Sequence, residues 1–184
     1  MNRREFAERF QAVHGRLWLI AAGMIGDRTE AEDIVQEAAI IAFRKLSDFR
    51  AGTSFSAWLA QIVRHCSANY RRKVSGRRTY AADPESFDQT QDGRPAPADG
   101  VRVSEELEDA VDPGRLDLDD EMMAALAQLS SEARCCLLLR VIEDLSYAEI
   151  SELLRIPEGT AMSHVFRSKK SMRARLSPRI QNES

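Results

Sequence analysis

Between Gly159 and Ile180 the chain carries no acidic residue, and Arg167, Lys169, Lys170 and Arg173 fall within that stretch. Thr160, Met162, Ser163 and His164 stand at its start. Fixed positive charge along a helix neutralises phosphates and displaces their counterions, and an α-helix fits the major groove of duplex DNA. The N-terminal part of such a helix reaches base edges, which makes Ser163, His164 and Arg167 the candidate readers. Lys169, Lys170 and Arg173 lie further along, where the helix leaves the groove toward phosphates. The plainer alternative is a solvated amphipathic helix in an ordinary bundle.

What precedes this helix argues against that alternative. Ser146-Tyr147-Ala148-Glu149 has the form of a capping box, in which a serine hydroxyl and a glutamate side chain exchange hydrogen bonds with each other's backbone amides. It opens a short helix through Leu154. Arg155-Ile156-Pro157-Glu158-Gly159 then reads as a tight turn, and the basic helix follows to about Leu176, ahead of Pro178. Two short helices joined by a turn, the second basic, form a helix-turn-helix. Ala148 is expected where the first helix approaches the second closely. Ile150, Leu153, Leu154, Ile156, Val165 and Leu176 are the expected core.

Other chemistry finds no support in the sequence. There is no glycine-rich phosphate loop, no metal constellation and no arrangement of nucleophile and base, so neither a cofactor nor an enzymatic activity is expected. The three cysteines, Cys66, Cys135 and Cys136, lack CxxC spacing and read as helix-core thiols. His164 has no second ligand at a suitable distance, and His14 reads as a helix-surface residue.

The N-terminal part is helical by pattern. Phe6, Phe10, Val13, Leu17, Ile20 and Met24 make one apolar stripe, broken at Gly26-Asp27. Thr29 to Glu32 reads as a capping box opening a second helix to about Leu46, with Ile34, Val35, Ala38, Ile41, Ala42 and Leu46 inward. A polar loop runs from Ser47 to Ser54. Thr53 or Ser54 caps a third helix with Phe55, Trp58, Leu59, Ile62, Val63, Cys66 and Tyr70 buried, ending in Arg71-Arg72-Lys73. From Val74 to about Arg115 the periodicity fades among breaker residues, which predicts a flexible linker with at most a short helix over 103–111. Near Leu118 helical signals return: Met122, Met123, Leu126 and Leu129 suit one helix, and Ser130 or Ser131 caps another to about Ile142.

The net charge of −3 hides a division. Residues 1–73 carry 12 basic against 8 acidic side chains, residues 74–120 carry 5 against 13, and residues 121–184 carry 9 against 8. Basic ends flank an acidic middle, which suits a nucleic-acid binder better than the total does. No apolar run approaches the roughly 20 residues of a membrane span, and the first residues are charged, so a cytoplasmic protein without membrane insertion is expected. The expected fold is all-α: two small helical domains, residues 1–73 and 116–178, joined by a flexible acidic linker, 74–115, with a tail over 179–184.

Two stretches in this order resemble a known family. Ala31-Glu32-Asp33-Ile34-Val35-Gln36-Glu37, Ala42-Phe43-Arg44 and Phe49 to Leu59 are similar to the second conserved region of extracytoplasmic-function (ECF) RNA polymerase sigma factors of the sigma-70 family. Leu145 to Ile150, then Ile156-Pro157-Glu158-Gly159-Thr160 and Ser163, resemble their fourth region. The resemblance implies a transcription initiation factor that binds core RNA polymerase, directs it to promoters with −10 and −35 elements, and assists melting. It implies that Asp33, Gln36 and Glu37 meet the clamp helices of the largest subunit, and that the flap is a further contact. It also implies that the loop with Phe49, Arg50, Gly52, Thr53 and Ser54 receives a flipped −10 base, with His65, Asn69, Arg71, Arg72 and Lys73 beside it. Thr160, Met162, Ser163, His164, Arg167, Lys169, Lys170 and Arg173 would face the −35 element. An anti-sigma factor is the implied inhibitor. His65, Met162 and His164 depart from residues common in the family. A conventional helix-turn-helix regulator would leave the Asp33–Glu37 pattern unexplained, and a serine recombinase would need an α/β domain where no strand pattern occurs.

Overall fold

A computed structural model of the chain describes residues 2–80 and 120–180. The expected linker helix over 103–111 and most of the acidic segment lie outside the described residues. The described residues are all-α, with helices α1 (Arg3–Ile25), α2 (Arg28–Arg44), α3 (Phe55–Tyr80), α4 (Asp120–Ala127), α5 (Ser131–Ile142), α6 (Tyr147–Leu154) and α7 (Glu158–Ile180). A 3-10 turn over Leu46–Asp48 interrupts the α2–α3 connection.

Helix ends follow local chemistry. Gly26 closes α1 with φ at +82°, a left-handed conformation that costs glycine nothing, and its N–H donates to Ala22 O. The start of α2 differs from the expected Thr29 box. Asp27 is the cap, its carboxylate accepting from the Thr29 and Glu30 amides. A carboxylate two residues earlier reaches the free amides and favours the positive end of the helix, so it displaces the threonine. Ser54 caps α3 by accepting from Ala57 N at 3.1 Å, and Ser130 caps α5 by accepting from Ala133 N.

Two helices run beyond their expected ends. α3 continues past Lys73 to Tyr80, so residues 74–80 belong to helix and not to the linker. Only Gly76 stands in that turn as a breaker, at about 1 kcal/mol, too little to stop a helix already propagating. α7 passes through Pro178 to Ile180, forfeiting one hydrogen bond in its last turns.

The first three helices pack around an aromatic cluster. The Phe6 ring meets Phe10, Phe43 and Phe55 at centroid distances of 5.6–5.9 Å, and Phe49 meets Phe55 and Trp58 at 5.4 and 5.3 Å. Leu17, Leu19, Ile20, Val35, Leu59 and Val63 complete that core. The last four helices bury Leu126, Cys136, Leu139, Ile150, Leu153, Leu154, Ala161 and Val165. Ile41, Leu46, Ile156 and Leu176 are half-buried at the margins. The two sets of helices dock on each other, α5 against α1 and α6 against α3, and their apolar residues form one continuous cluster.

Candidate nucleic-acid and polymerase interfaces

The helix-turn-helix forms as the sequence predicts, with two local differences. The Ser146–Glu149 capping box is complete: the Ser146 N–H donates to Glu149 Oε2 at 2.8 Å and the Glu149 N–H to Ser146 Oγ at 3.3 Å. Arg155 ends α6 in a left-handed conformation with φ 49°, and Ser151 Oγ donates to Ile156 O at 2.6 Å across the turn. Glu158 and Gly159 already belong to α7, so the turn is shorter than expected. Ala148 is exposed, and the fully buried small side chain of the motif is Ala161, at the start of α7. Being the second residue of α6 after its cap, Ala148 falls on the solvent side of the turn.

α7 buries Ala161, Val165, Ser168 and Met172, spaced at four, three and four residues. That stripe turns Met162, Arg167, Lys169, Lys170 and Arg173 outward, while Thr160, Ser163 and His164 are half-buried at its edge. His164 Nε2 lies 3.8 Å from Glu132 on α5. Phe166, absent from the expected site, is 71% exposed and one turn from Met162 at 52%. Its signal was the spacing: Phe166 sits four residues from Met162 and off the buried stripe. An exposed aromatic ring among cations is suited to an apolar contact such as a thymine methyl in the major groove.

A second surface lies on α2. Asp33, Gln36 and Glu37 are all exposed on one face, because Ile34, Val35 and Ala38 take the buried one. Ile40 continues that face one turn on and is 54% exposed; Phe43, edge-on to Phe6, is exposed beyond it. Both were absent from the expected site. A carboxylate–amide cluster around an exposed aliphatic side chain is a common anatomy for a protein contact.

The third group gathers around the α2–α3 connection. Gly52 has φ +88° with open space on its Cβ side, and Thr53 Oγ1 donates to Arg50 O at 2.7 Å, which closes the loop on itself. Phe49 is anchored in the aromatic cluster, so the loop rides on a rigid base. Trp58 is half-buried there between Phe49 and Phe55, as a core residue. On α3, His65, Arg71, Arg72 and Lys73 are exposed and Asn69 half-buried. Arg72 donates to Asn69 Oδ1 at 2.6 Å, and Arg71 reaches Ser131 Oγ at 3.2 Å. Glu37, Asn69, Tyr70, Arg72 and Lys73 line one open pocket of about 320 Å³, which joins the α2 face to the basic end of α3.

The remaining reactive groups are structural. Burial pushes the Cys66 thiol up to about 11, helped by Glu37, and holds Cys135 and Cys136 at about 12. Such thiols stay protonated and inert. His14 is half-buried against Phe10, 3.5 Å from Glu32, and not simply on the surface. Among the described residues no cluster of three or more His, Cys, Asp or Glu is placed to hold a metal, and no helix is long and apolar enough to cross a membrane.

Comparison with known proteins accounts for this arrangement. Residues 9–77 match sigma-70 region 2, and residues 119–172 match sigma-70 region 4. The RNA polymerase sigma-H factor of Pseudomonas aeruginosa is 32% identical over 158 residues, covering 84% of this chain and 77% of that one. The chain belongs to the ECF sigma factors of the sigma-70 family. The ECF RNA polymerase sigma factor SigW of Bacillus subtilis is 29% identical over 171 residues, covering 93% and 88%. The fold agrees with two solved structures. RpoE of Bartonella quintana, determined with the anti-sigma factor NepR, gives a TM-score of 0.64 at 24% identity, covering 95% and 98% of the two chains. CnrH, determined with the cytosolic domain of CnrY, gives 0.61 at 18%, covering 97% and 91%. This sigma factor is accordingly an alternative initiation factor that directs RNA polymerase to promoters, in a family whose members are regulatory and non-catalytic.

Proposed function

We propose that the three surfaces divide the work of initiation. Asp33, Gln36, Glu37 and Ile40 on α2 dock on the polymerase. The Phe49–Ser54 loop with His65, Asn69, Arg71, Arg72 and Lys73 takes the −10 element. The outer face of α7, from Thr160 to Arg173, takes the −35 element. Residues 1–73, extended by the end of α3 to residue 80, and residues 116–178 are then the two functional units. The observation that carries this reading is the segregation of charge: acid and amide face outward on α2 within the region 2 match, and uninterrupted base faces outward on α7 within the region 4 match.

The physical division follows from the groups themselves. A loop with a positive-φ glycine and small hydroxyl side chains leaves room for an extruded base, and the neighbouring cations hold the strand's phosphates. An intact duplex is read by a helix in the groove, where phosphate contacts position and base contacts specify. The factor acts in the cytoplasm, where polymerase works, and an anti-sigma protein holds it inactive, as the solved relatives' complexes suggest by analogy. No covalent step belongs to this chain. The test is run-off transcription by core polymerase with and without the factor on a randomised promoter library. Transcripts from templates sharing two separated motifs are expected only with the factor. Sequence-specific DNA binding by the free chain, with no association with core polymerase, would overturn the reading.

A further inference from the structure

Gln36 is the uncharged member of the outward face of α2, and an amide can turn either end toward a partner. Its carbonyl oxygen accepts hydrogen bonds and its nitrogen donates them, whereas the Asp33 and Glu37 carboxylates beside it only accept. The end of Gln36 that points outward therefore decides whether the face is uniform. Gln36 Nε2 donates to Glu32 Oε1 at 3.3 Å, one turn back along α2. A carboxylate oxygen takes only a donor, so the nitrogen is the inward end and the carbonyl oxygen is left outward.

Glu32 is itself held. It is half-buried where α2 packs on α1, between the fully buried Ala31 and the exposed Asp33. From α1, His14 brings Nε2 to 3.5 Å from the same Glu32 Oε1. The His14 ring stands edge-on to Phe10 at 5.8 Å between centroids, and Phe10 packs against the core, which fixes the plane of the imidazole. The imidazole nitrogen that faces a carboxylate is the one that carries a proton, whether the ring is neutral or charged. One oxygen of Glu32 thus faces two N–H groups, one from the core side and one from the docking face.

We propose that Glu32 and His14 are positioning residues for polymerase docking: through Glu32 Oε1 they hold the Gln36 amide with its oxygen outward, so that Asp33, Gln36 and Glu37 present acceptors only. Neither has to touch the polymerase. This rests on the reading of α2 given above. A cationic partner surface offers donors only, and an amide turned the other way would set a donor against them. An exposed glutamine left free samples both orientations and many rotamers, and ordering it on association weakens binding. The signal lies in this chain's own residues: Glu32 and Gln36 are four apart on one helix, and His14 is brought to them from another.

The test uses the full-length chain with two readouts, titration with core polymerase and the side-chain amide resonances of Gln36 in the free chain. Glu32→Ala removes the acceptor at a half-exposed helical position. It should weaken core binding about three- to tenfold, the worth of one hydrogen bond, and move the Gln36 resonances to those of an unattached glutamine. Glu32→Gln keeps an acceptor oxygen without the charge and should recover most of both. His14→Phe keeps a ring against Phe10 but loses the donor, and should move the same resonances with a smaller loss of affinity. In a Gln36→Ala background Glu32→Ala should cost nothing further, because the side chain it holds is gone. Equal losses with and without Gln36 overturn the proposal, since Glu32 would then act by its charge or by direct contact. Unmoved Gln36 resonances in Glu32→Ala also overturn it, as does Glu32→Gln failing as fully as Glu32→Ala. If Asp33→Lys and Gln36→Ala weaken core binding while Glu32→Ala does not, the positioning role alone falls. If none of the three changes core affinity, the docking reading of α2 falls and takes the positioning role with it.

Discussion

The two bundles are built by different means for related tasks. The N-terminal bundle rests on rings: Phe6, Phe10, Phe43, Phe49, Phe55 and Trp58 meet stacked, edge-on or tilted around the base of the Phe49–Ser54 loop. Among the described residues the C-terminal bundle buries no aromatic side chain; its apolar core is leucine, isoleucine, valine, alanine, cysteine and Met172. A loop that must receive a base needs a stiff foundation, because its own backbone supplies little. A recognition helix is stiff already, and the bundle beneath it has only to set its orientation. The C-terminal bundle rests instead on its aliphatic core and on the capping box that starts α6.

The largest expected effect tests the foundation. Phe55→Ala removes a ring 1% exposed that touches Phe6, Phe49 and Trp58. It should cost about 3–5 kcal/mol, read as a fall in the denaturation midpoint of residues 1–80. A loss under about 1 kcal/mol would mean that the aromatic cluster does not carry the loop.

Charge reversal on α2 comes next. Asp33→Lys or Glu37→Lys should weaken core polymerase binding by about one to a few kcal/mol, because attraction becomes repulsion at a polar contact. Helicity should persist, since both side chains are exposed. Unchanged affinity in a titration would remove α2 from the docking surface.

On α7 the two halves of the outer face should fail differently. Arg167→Ala or Phe166→Ala should cost about 1–3 kcal/mol on the preferred −35 sequence and relax preference at one position. Lys170→Ala should weaken all sequences alike and reduce the magnitude of the salt slope by about one. Holoenzyme binding across a −35 mutant panel at several salt concentrations separates them. If Arg167→Ala weakens every promoter equally, Arg167 is a phosphate clamp.

The smallest effects concern the supports of the C-terminal bundle. Ser146→Ala breaks the capping box and should cost about 1 kcal/mol of stability. Glu152 provides a pH signature. Burial and then Glu149 raise its carboxyl above the usual range, and its Oε2 has no hydrogen-bond partner among the described residues. A raised folded-state value means that the carboxylate opposes folding at neutral pH and that protonation relieves it. Glu152→Gln should therefore raise the melting temperature slightly at pH 7, with the gain shrinking as the pH falls toward 4. A gain independent of pH would place its origin elsewhere.

Much of this molecule is local, and the sequence determined it. Gly26 stops α1 because a left-handed residue is needed there, and Ser146 with Glu149 starts α6 because both partners lie within one turn. The acidic face of α2 and the basic face of α7 follow from helical periodicity alone. Competing local donors and small penalties were decided differently: Asp27 outbid Thr29, and α3 ran through Gly76. Exposure of Ile40 and Phe166 needed the helices placed, since an apolar residue next to a buried stripe falls inside or outside by a rotation of tens of degrees. The docking of the two bundles was beyond the sequence altogether. Gly23 against Cys135, Arg134 on Gly23 O, and Gln61 and Arg64 on the end of α6 join residues 90 to about 110 positions apart. No periodicity records such pairs, because only the packed surfaces bring an unpaired carbonyl and a distant cation within reach.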